Sequence, residues 1–362
     1  MAVGDRVYVT LGIDEPLSVL DATTGETIRT CEDTKATEEI LCHNGVLFLS
    51  VAAKGQPLRS DPDKVYPSLN EIRAAVTDPV WTDAPRTIMA VEADSGKVRW
   101  QRQSTVVSMS LTADGQRVLF HDGTSVKCLD ARDGRDLWAS APLPRRAGMR
   151  SSGRVTLVLY DDVVLYSGQI SASGKQGDAS TMFALSAKDG KPLWQAEHPP
   201  CGHSGTLDDI LVLNGVVWCG AVAQGSDSGI MTGHDLRTGK VLKEFPPDVE
   251  THWFHHRCYR AKTTDNYLLF SRTGIEFIDV EQNHWTCHHW VRGACLYGIM
   301  PCNGLIYTAP HPCACYLEAK LFGFNALAPA LTPPLPPTPD EVRLVRGPAF
   351  SEVSNLKSRL SA

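Results

Sequence analysis

The chain has 362 residues, 43% of them hydrophobic, and a formal net charge of −6. That length and apolar content support a large core, and the acidic balance gives no reason to expect nucleic-acid binding. No apolar run reaches the roughly 18 residues that a membrane-spanning helix requires. The sequence opens at Met1-Ala-Val-Gly-Asp and enters a strand, Arg6-Val-Tyr-Val-Thr-Leu, at once. No signal peptide precedes it, which reads as a mature or truncated form.

The first predicted element is a strand pair within Arg6–Asp21, followed by the phrase Asp-Ala-Thr-Thr-Gly-Glu at Asp21–Glu26. Asn44-Gly45 then precedes Val-Leu-Phe-Leu-Ser, a strong short hairpin signal. From Lys54 to Arg86 the chain is polar and Pro-rich, with a candidate short helix that begins at Ser68. The phrase returns at Glu92–Lys97, Asp130–Arg135, Ser186–Lys191 and Asp235–Lys240, and in degenerate form at Asp279–His284. Between the copies lie the turns Asp114-Gly115, Asp161-Asp162, Asn214-Gly215, Asp265-Asn266 and Asn303-Gly304. Gly or Asn stands where each phrase must take positive φ, so each is a hairpin turn between strands. Three copies run into a tryptophan: Trp100, Trp138 and Trp194.

Self-similarity at roughly 40–50 residues, with several short strands per unit, marks a propeller. The expected fold is all-β, about seven four-stranded blades over residues 1–327, with eight also compatible. Pro329, Pro333, Pro334, Pro336, Pro337 and Pro339 then form a stiff linker, so 328–362 reads as linker and tail.

Chemistry-bearing residues crowd the later part of the chain, and eight of the twelve histidines lie from His234 onward. Counting back from the hairpin turns places Lys35–Glu39, His203–Asp209, His255–Arg260 and Arg292–Tyr297 at the starts of innermost strands. Those starts converge at one mouth of a propeller channel. Imidazoles with a carboxylate are ligands for Zn²⁺ or a similar divalent ion. The expected ligands are drawn from His203, His255, His256, His289 and His311, with Glu39. Arg257, Arg260, Lys262 and Arg292 would grip an anionic group, beside Asp208 and Tyr297. The expected activity is metal-dependent hydrolysis of phosphate or sulfate esters by activated water. Elimination from an acidic sugar, with Tyr297 or a His as base, and a non-catalytic binding or scaffold propeller remain open beside it. Adjacent His255 and His256 point to opposite strand faces, so one at most faces the channel. Cys258, Cys287, Cys295, Cys302, Cys313 and Cys315 are expected to supply at least one disulfide or a thiolate–metal site.

At the turn phrases and the pairs Leu137-Trp138 and Leu193-Trp194, residues 4–327 resemble the PQQ-like, or quinoprotein-type, β-propeller superfamily. The stretch His255–Ala328, with Arg292-Gly-Ala-Cys, Pro301-Cys-Asn-Gly-Leu-Ile-Tyr and Pro312-Cys-Ala-Cys-Tyr, is similar to uncharacterised Cys- and His-rich members of planctomycete type. The resemblance implies export in a longer parent protein, and Arg346-Gly-Pro-Ala-Phe resembles a junction before further repeats. It does not imply PQQ binding. The vicinal Cys-Cys of quinoprotein dehydrogenases has no match here, nor do their calcium ligands and catalytic Asp.

Overall fold

Both residues of Asn44-Gly45, Asp161-Asp162, Asn214-Gly215 and Asn303-Gly304 take positive φ. This conformation matches the twist of flanking antiparallel strands and turns the chain back in two residues. In the outer turns, an Asp side chain does the same work. Asp21 Oδ1 accepts the N–H groups of Thr23 and Thr24 at 2.9 Å, and the glycine that follows, Gly25, takes φ +75°. In the degenerate copy Asn283 takes φ +57° in place of glycine.

A computed structural model describes residues 1–12, 14–53, 85–145, 155–171, 179–201, 208–250, 259–294, 297–310 and 321–330. These turns fold the chain into a seven-bladed propeller of antiparallel sheets. Blade 1 comprises β1 (Ala2–Val3), β2 (Arg6–Thr10), β3 (Leu17–Asp21) and β4 (Thr27–Cys31). Blade 2 comprises β5 (Thr37–His43), β6 (Val46–Ala52), β7 (Pro85–Glu92) and β8 (Val98–Thr105). Blade 3 comprises β9 (Thr112–Ala113), β10 (Arg117–His121), β11 (Val126–Asp130) and β12 (Asp136–Ala139). Blade 4 comprises β13 (Thr156–Tyr160), β14 (Val163–Ser171), β15 (Ser180–Ser186) and β16 (Pro192–His198). Blade 5 comprises β17 (Leu211–Leu213), β18 (Val216–Gly220), β19 (Met231–Asp235) and β20 (Val241–Phe245). Blade 6 comprises β21 (Lys262–Thr263), β22 (Tyr267–Phe270), β23 (Ile275–Asp279) and β24 (His284–His288). Blade 7 has three described strands, β25 (Ile299–Cys302), β26 (Leu305–Thr308) and β27 (Asn325–Leu327). The one helical element described is a 3₁₀ turn at Glu32–Thr34. The candidate helix at Ser68 lies outside the described residues, as does 331–362.

Six apolar clusters bury the faces of successive sheets, one for each neighbouring pair from blades 1 and 2 to blades 6 and 7. The tryptophans after the turn phrases join one blade to the next. Trp100, Trp138 and Trp194 donate Nε1–H at 2.9 Å to the carbonyls of Ala131, Ala187 and Leu236, the second phrase residue of the following blade. Lys243 takes that role toward Val280 at 2.6 Å, and Arg29 reaches the Asp94 carbonyl. Each phrase glycine after the second lies against the ring that reaches it. A Cβ on Gly134, Gly190 or Gly239 would stand 2.6 Å from Trp100, Trp138 or Trp194.

Candidate functional site

Inner strands are the first strand of each blade, and their starts form the channel mouth. By register Cys42, Ala113, Leu159, Val212 and Thr263 are equivalent in blades 2 to 6, and the position three residues before each is occupied by Glu39, Ser110, Thr156, Asp209 and Arg260. All five make polar contacts, and four of them reach the next or the preceding blade. Glu39 accepts the N–H of Met109 at 2.9 Å on one oxygen and that of Leu111 at 3.1 Å on the other. Burial pushes its carboxyl up to about 7, against the pull of those two N–H groups. Thr156 donates at 2.6 Å to the Asp208 carbonyl. Asp209 is buried and accepts Nε–H of Arg260 at 2.9 Å and N–H of Ala261 at 3.0 Å. Asp209 also receives support from blade 4, because its carbonyl lies 3.0 Å from Nε2 of His198. Ser110 accepts the His121 N–H at 3.1 Å and ties its own blade.

Acidic groups beside this row are paired as well. Glu38 binds Nε of Arg86 at 2.5 Å, with both side chains buried, and Arg86 also donates to the Val106 carbonyl at 3.1 Å. Asp208 is buried and accepts the hydroxyls of Ser167, at 2.6 Å, and Ser180. Lys262 is held below the usual ammonium range, first by burial and then by the charge of Arg260.

A different surface lies where the chain enters and leaves blade 7. Among the described residues the four most exposed aromatic side chains, Tyr297 (80%), Phe324 (69%), Phe322 (63%) and Trp290 (60%), all fall between 290 and 324. Leu321, 46% exposed, donates its N–H at 3.0 Å to the Trp290 carbonyl, so the two loops meet there.

A family model described as outer membrane protein assembly factor BamB matches residues 18–176 and 87–247, together more than half of the chain. The chain belongs to this PQQ-like propeller family. Among solved structures it is similar to BamB from Moraxella catarrhalis, at 14% identity and a TM-score of 0.41, over 61% of this chain and 60% of that one. The match therefore spans less than two thirds of that BamB chain. It is also similar to the computationally designed Ika8 protein, at 13% identity and a TM-score of 0.44, over 85% of this chain and 91% of that one. No curated protein matches the sequence.

In this PQQ-like propeller the sequence-derived site residues separate into three groups. Glu39, Asp208, Arg260 and Arg292 are seated in the protein, the first three in the bonds just described and Arg292 almost fully buried. Lys262, His289 and Tyr297 are exposed. His203, His255, His256, His311 and Arg257 lie outside the described residues. Among the described residues no three His, Cys, Asp or Glu side chains gather in a way that could hold a metal ion. Of the six cysteines proposed for disulfides, Cys287 and Cys302 are free thiols. Cys258, Cys295, Cys313 and Cys315 lie outside the described residues. Arg86 and Asp209 escaped the sequence reading. Arg86 follows a Pro-rich stretch that hid the start of β7. Asp209 is adjacent to Asp208, and only the count from Asn214 singles it out as the counterpart of Glu39. No helix among the described residues is long and apolar enough to cross a membrane.

Proposed function

We propose that this propeller is a non-catalytic binding or scaffold module, presenting the aromatic loops at the entry to blade 7 to a protein partner. The observation that carries this is the concentration of exposed aromatic surface at Trp290 and Tyr297, while the described polar side chains at the inner-strand starts hold blades together. Exposed apolar surface of this kind is costly to leave in water and marks interaction sites. The family description, an assembly factor, supports a role in bringing proteins together, and export belongs with that role.

The competing reading is hydrolysis of anionic esters, with His203, His255, His256, His289, His311 and Glu39 as the pool of zinc ligands. Its support is the Arg260–Lys262 pair of cations, one of them with a depressed pKa, at an inner-strand start. Elemental analysis of the purified protein, with a panel of aryl phosphate and sulfate esters and uronate oligosaccharides, separates the two. The binding reading expects no stoichiometric metal and no turnover. It also expects that peptides selected from a displayed library lose affinity at least tenfold for Trp290→Ser with Tyr297→Ser, at unchanged thermal midpoint. Metal near one equivalent together with ester cleavage would overturn it.

A further inference from the structure

The outer flank between blades 2 and 3 holds a cleft of about 330 Å³. Its lining includes Ile88, Phe120 and Leu129, which belong to the apolar cluster of that boundary, with Arg102 of β8 and Lys127 and Ala139 of blade 3. Register accounts for the space. In blade 3, Lys127 pairs with Ala139, one step along the ladder from Cys128 with Trp138. In blade 4 the same ladder position is held by Phe183 with Gln195, one step from Ala184 with Trp194. Phe183 packs into the cluster between blades 3 and 4, its ring centroid 6.3 Å from that of Tyr166. Blade 3 therefore presents a lysine and an alanine where blade 4 presents a ring. The Lys127 ammonium turns to Asp122, 3.3 Å away, and a side chain with a charged head keeps that head toward water rather than filling an apolar gap.

We propose that this cleft binds a small aromatic carboxylate, whose ring takes the place that Phe183 holds at the next boundary. The volume lies at the lower end of the range of small-molecule pockets and suits an occupant of one or two rings. Ile88, Phe120 and Leu129 offer that ring an apolar floor. The charge of the lining selects the head group. It carries two cations, Lys127 and Arg102, against one carboxylate, Asp136. The two cations come from opposite walls, Arg102 from blade 2 and Lys127 from blade 3. Arg102 is held in place by the Gly134 carbonyl at 2.8 Å and by Asp136 at 2.9 Å. An ammonium has three N–H donors, and Asp122 also accepts the backbone N–H groups of Thr124, at 2.9 Å, and Ser125, at 2.8 Å. Asp122 thus draws on several donors, and Lys127 keeps capacity for a second carboxylate. Bonds between a cation and a carboxylate are about twice as strong as neutral ones, so the acid is favoured over its amide. A ring beneath a cation gains further attraction that a saturated ring does not.

This site is independent of the partner surface at Trp290 and Tyr297, which belongs to blades 6 and 7. Calorimetric titration of the full chain with indole-3-acetate tests it. The expected result is one site with a Kd on the order of 100 µM. The uncharged indole-3-acetamide should bind about fivefold more weakly or worse, and so should cyclohexylacetate, which keeps the charge without the flat ring. Lys127→Gln should weaken the acid about fivefold or more and leave the amide unchanged. Lys127→Phe places a ring from the protein itself in the cleft, as Phe183 does in blade 4, and should abolish binding without lowering the urea midpoint. If Lys127→Phe does not fold, Lys127→Gln and the three ligands decide alone. No saturable binding of indole-3-acetate up to about 5 mM overturns the inference. So does equal affinity for indole-3-acetate and either of the other two ligands, or an affinity for the acid that Lys127→Gln does not change.

Discussion

At the residue scale, two buried titratable groups pull stability in opposite directions. Glu39 has a folded pKa of about 7, above its ordinary value of 4.5. Between those values the folded chain keeps a proton that the unfolded chain has lost, so its contribution favours folding at the acidic end and is lost as pH rises through 7. His121 behaves in the reverse sense. It stacks on Tyr166 with centroids 5.2 Å apart and accepts the Gly123 N–H at 3.0 Å. Burial drives its pKa from 6.5 down to about 4. Its contribution is present above 6.5 and is lost as pH falls through 4. The two effects oppose each other between pH 4.5 and 6.5. Glu39→Gln should leave His121 unopposed, so stability should fall with acidification by about 1 kcal/mol per pH unit across that window. Urea midpoints at pH 4.5, 5.5, 6.5 and 7.5 measure this, and a slope equal to that of the parent would refute it.

At the element scale, the outer turns work through two local devices and one distant one. The Asp side chain and the positive-φ glycine belong to the phrase itself, which is why the sequence exposed them. The ring above the glycine comes from the preceding blade. Gly190→Ala places a methyl 2.6 Å from Trp138 at φ +72°, whereas Gly25→Ala meets nothing at φ +75°. Both substitutions incur left-handed strain of about 1 kcal/mol. Only Gly190→Ala adds a clash with an aromatic ring, so it should cost about 2–4 kcal/mol in total. Chemical denaturation of the pair separates strain from crowding, and equal losses would mean that Trp138 moves aside freely. Trp138→Phe keeps most of the packing but removes the bond to the Ala187 carbonyl, a loss of about 1 kcal/mol.

At the scale of the whole molecule, blades are held to one another by apolar faces, by the outer Trp, Lys and Arg ties, and by the polar row at the channel mouth. Asp209 is the most connected member of that row, bonded to Arg260 and Ala261 of blade 6 and supported by His198 of blade 4. Asp209→Ala orphans a buried N–H and a cation. Because Arg260 retains some contact with water, the loss should be about 2–4 kcal/mol, below that of a fully buried pair. Asp209→Asn keeps an acceptor for Arg260 and should lose less than half as much. Tryptophan fluorescence in urea reads both, and an Asp209→Asn loss equal to that of Asp209→Ala would assign the effect to charge rather than to hydrogen bonding.

The sequence by itself determined the blades, because their signals are local. An Asn-Gly pair or an Asp-x-x-x-Gly phrase bends the chain within a few residues, whatever surrounds it, and the repeat of such bends dictates stacked hairpins. It also located the inner-strand starts, since a turn fixes the register of its strands. What it could not decide is which way a polar side chain at such a start would be used. Asp208 and Asp209 are chemically equal in sequence and point to opposite faces. One meets two serine hydroxyls, and the other meets an arginine of the next blade. The partner of Glu38, Arg86, lies 48 positions away and is brought close only by strand pairing. Gathering charged residues at a mouth was legible as a pattern. Whether they face a substrate or each other depends on which blade packs against which, a property of the assembled ring rather than of any one repeat.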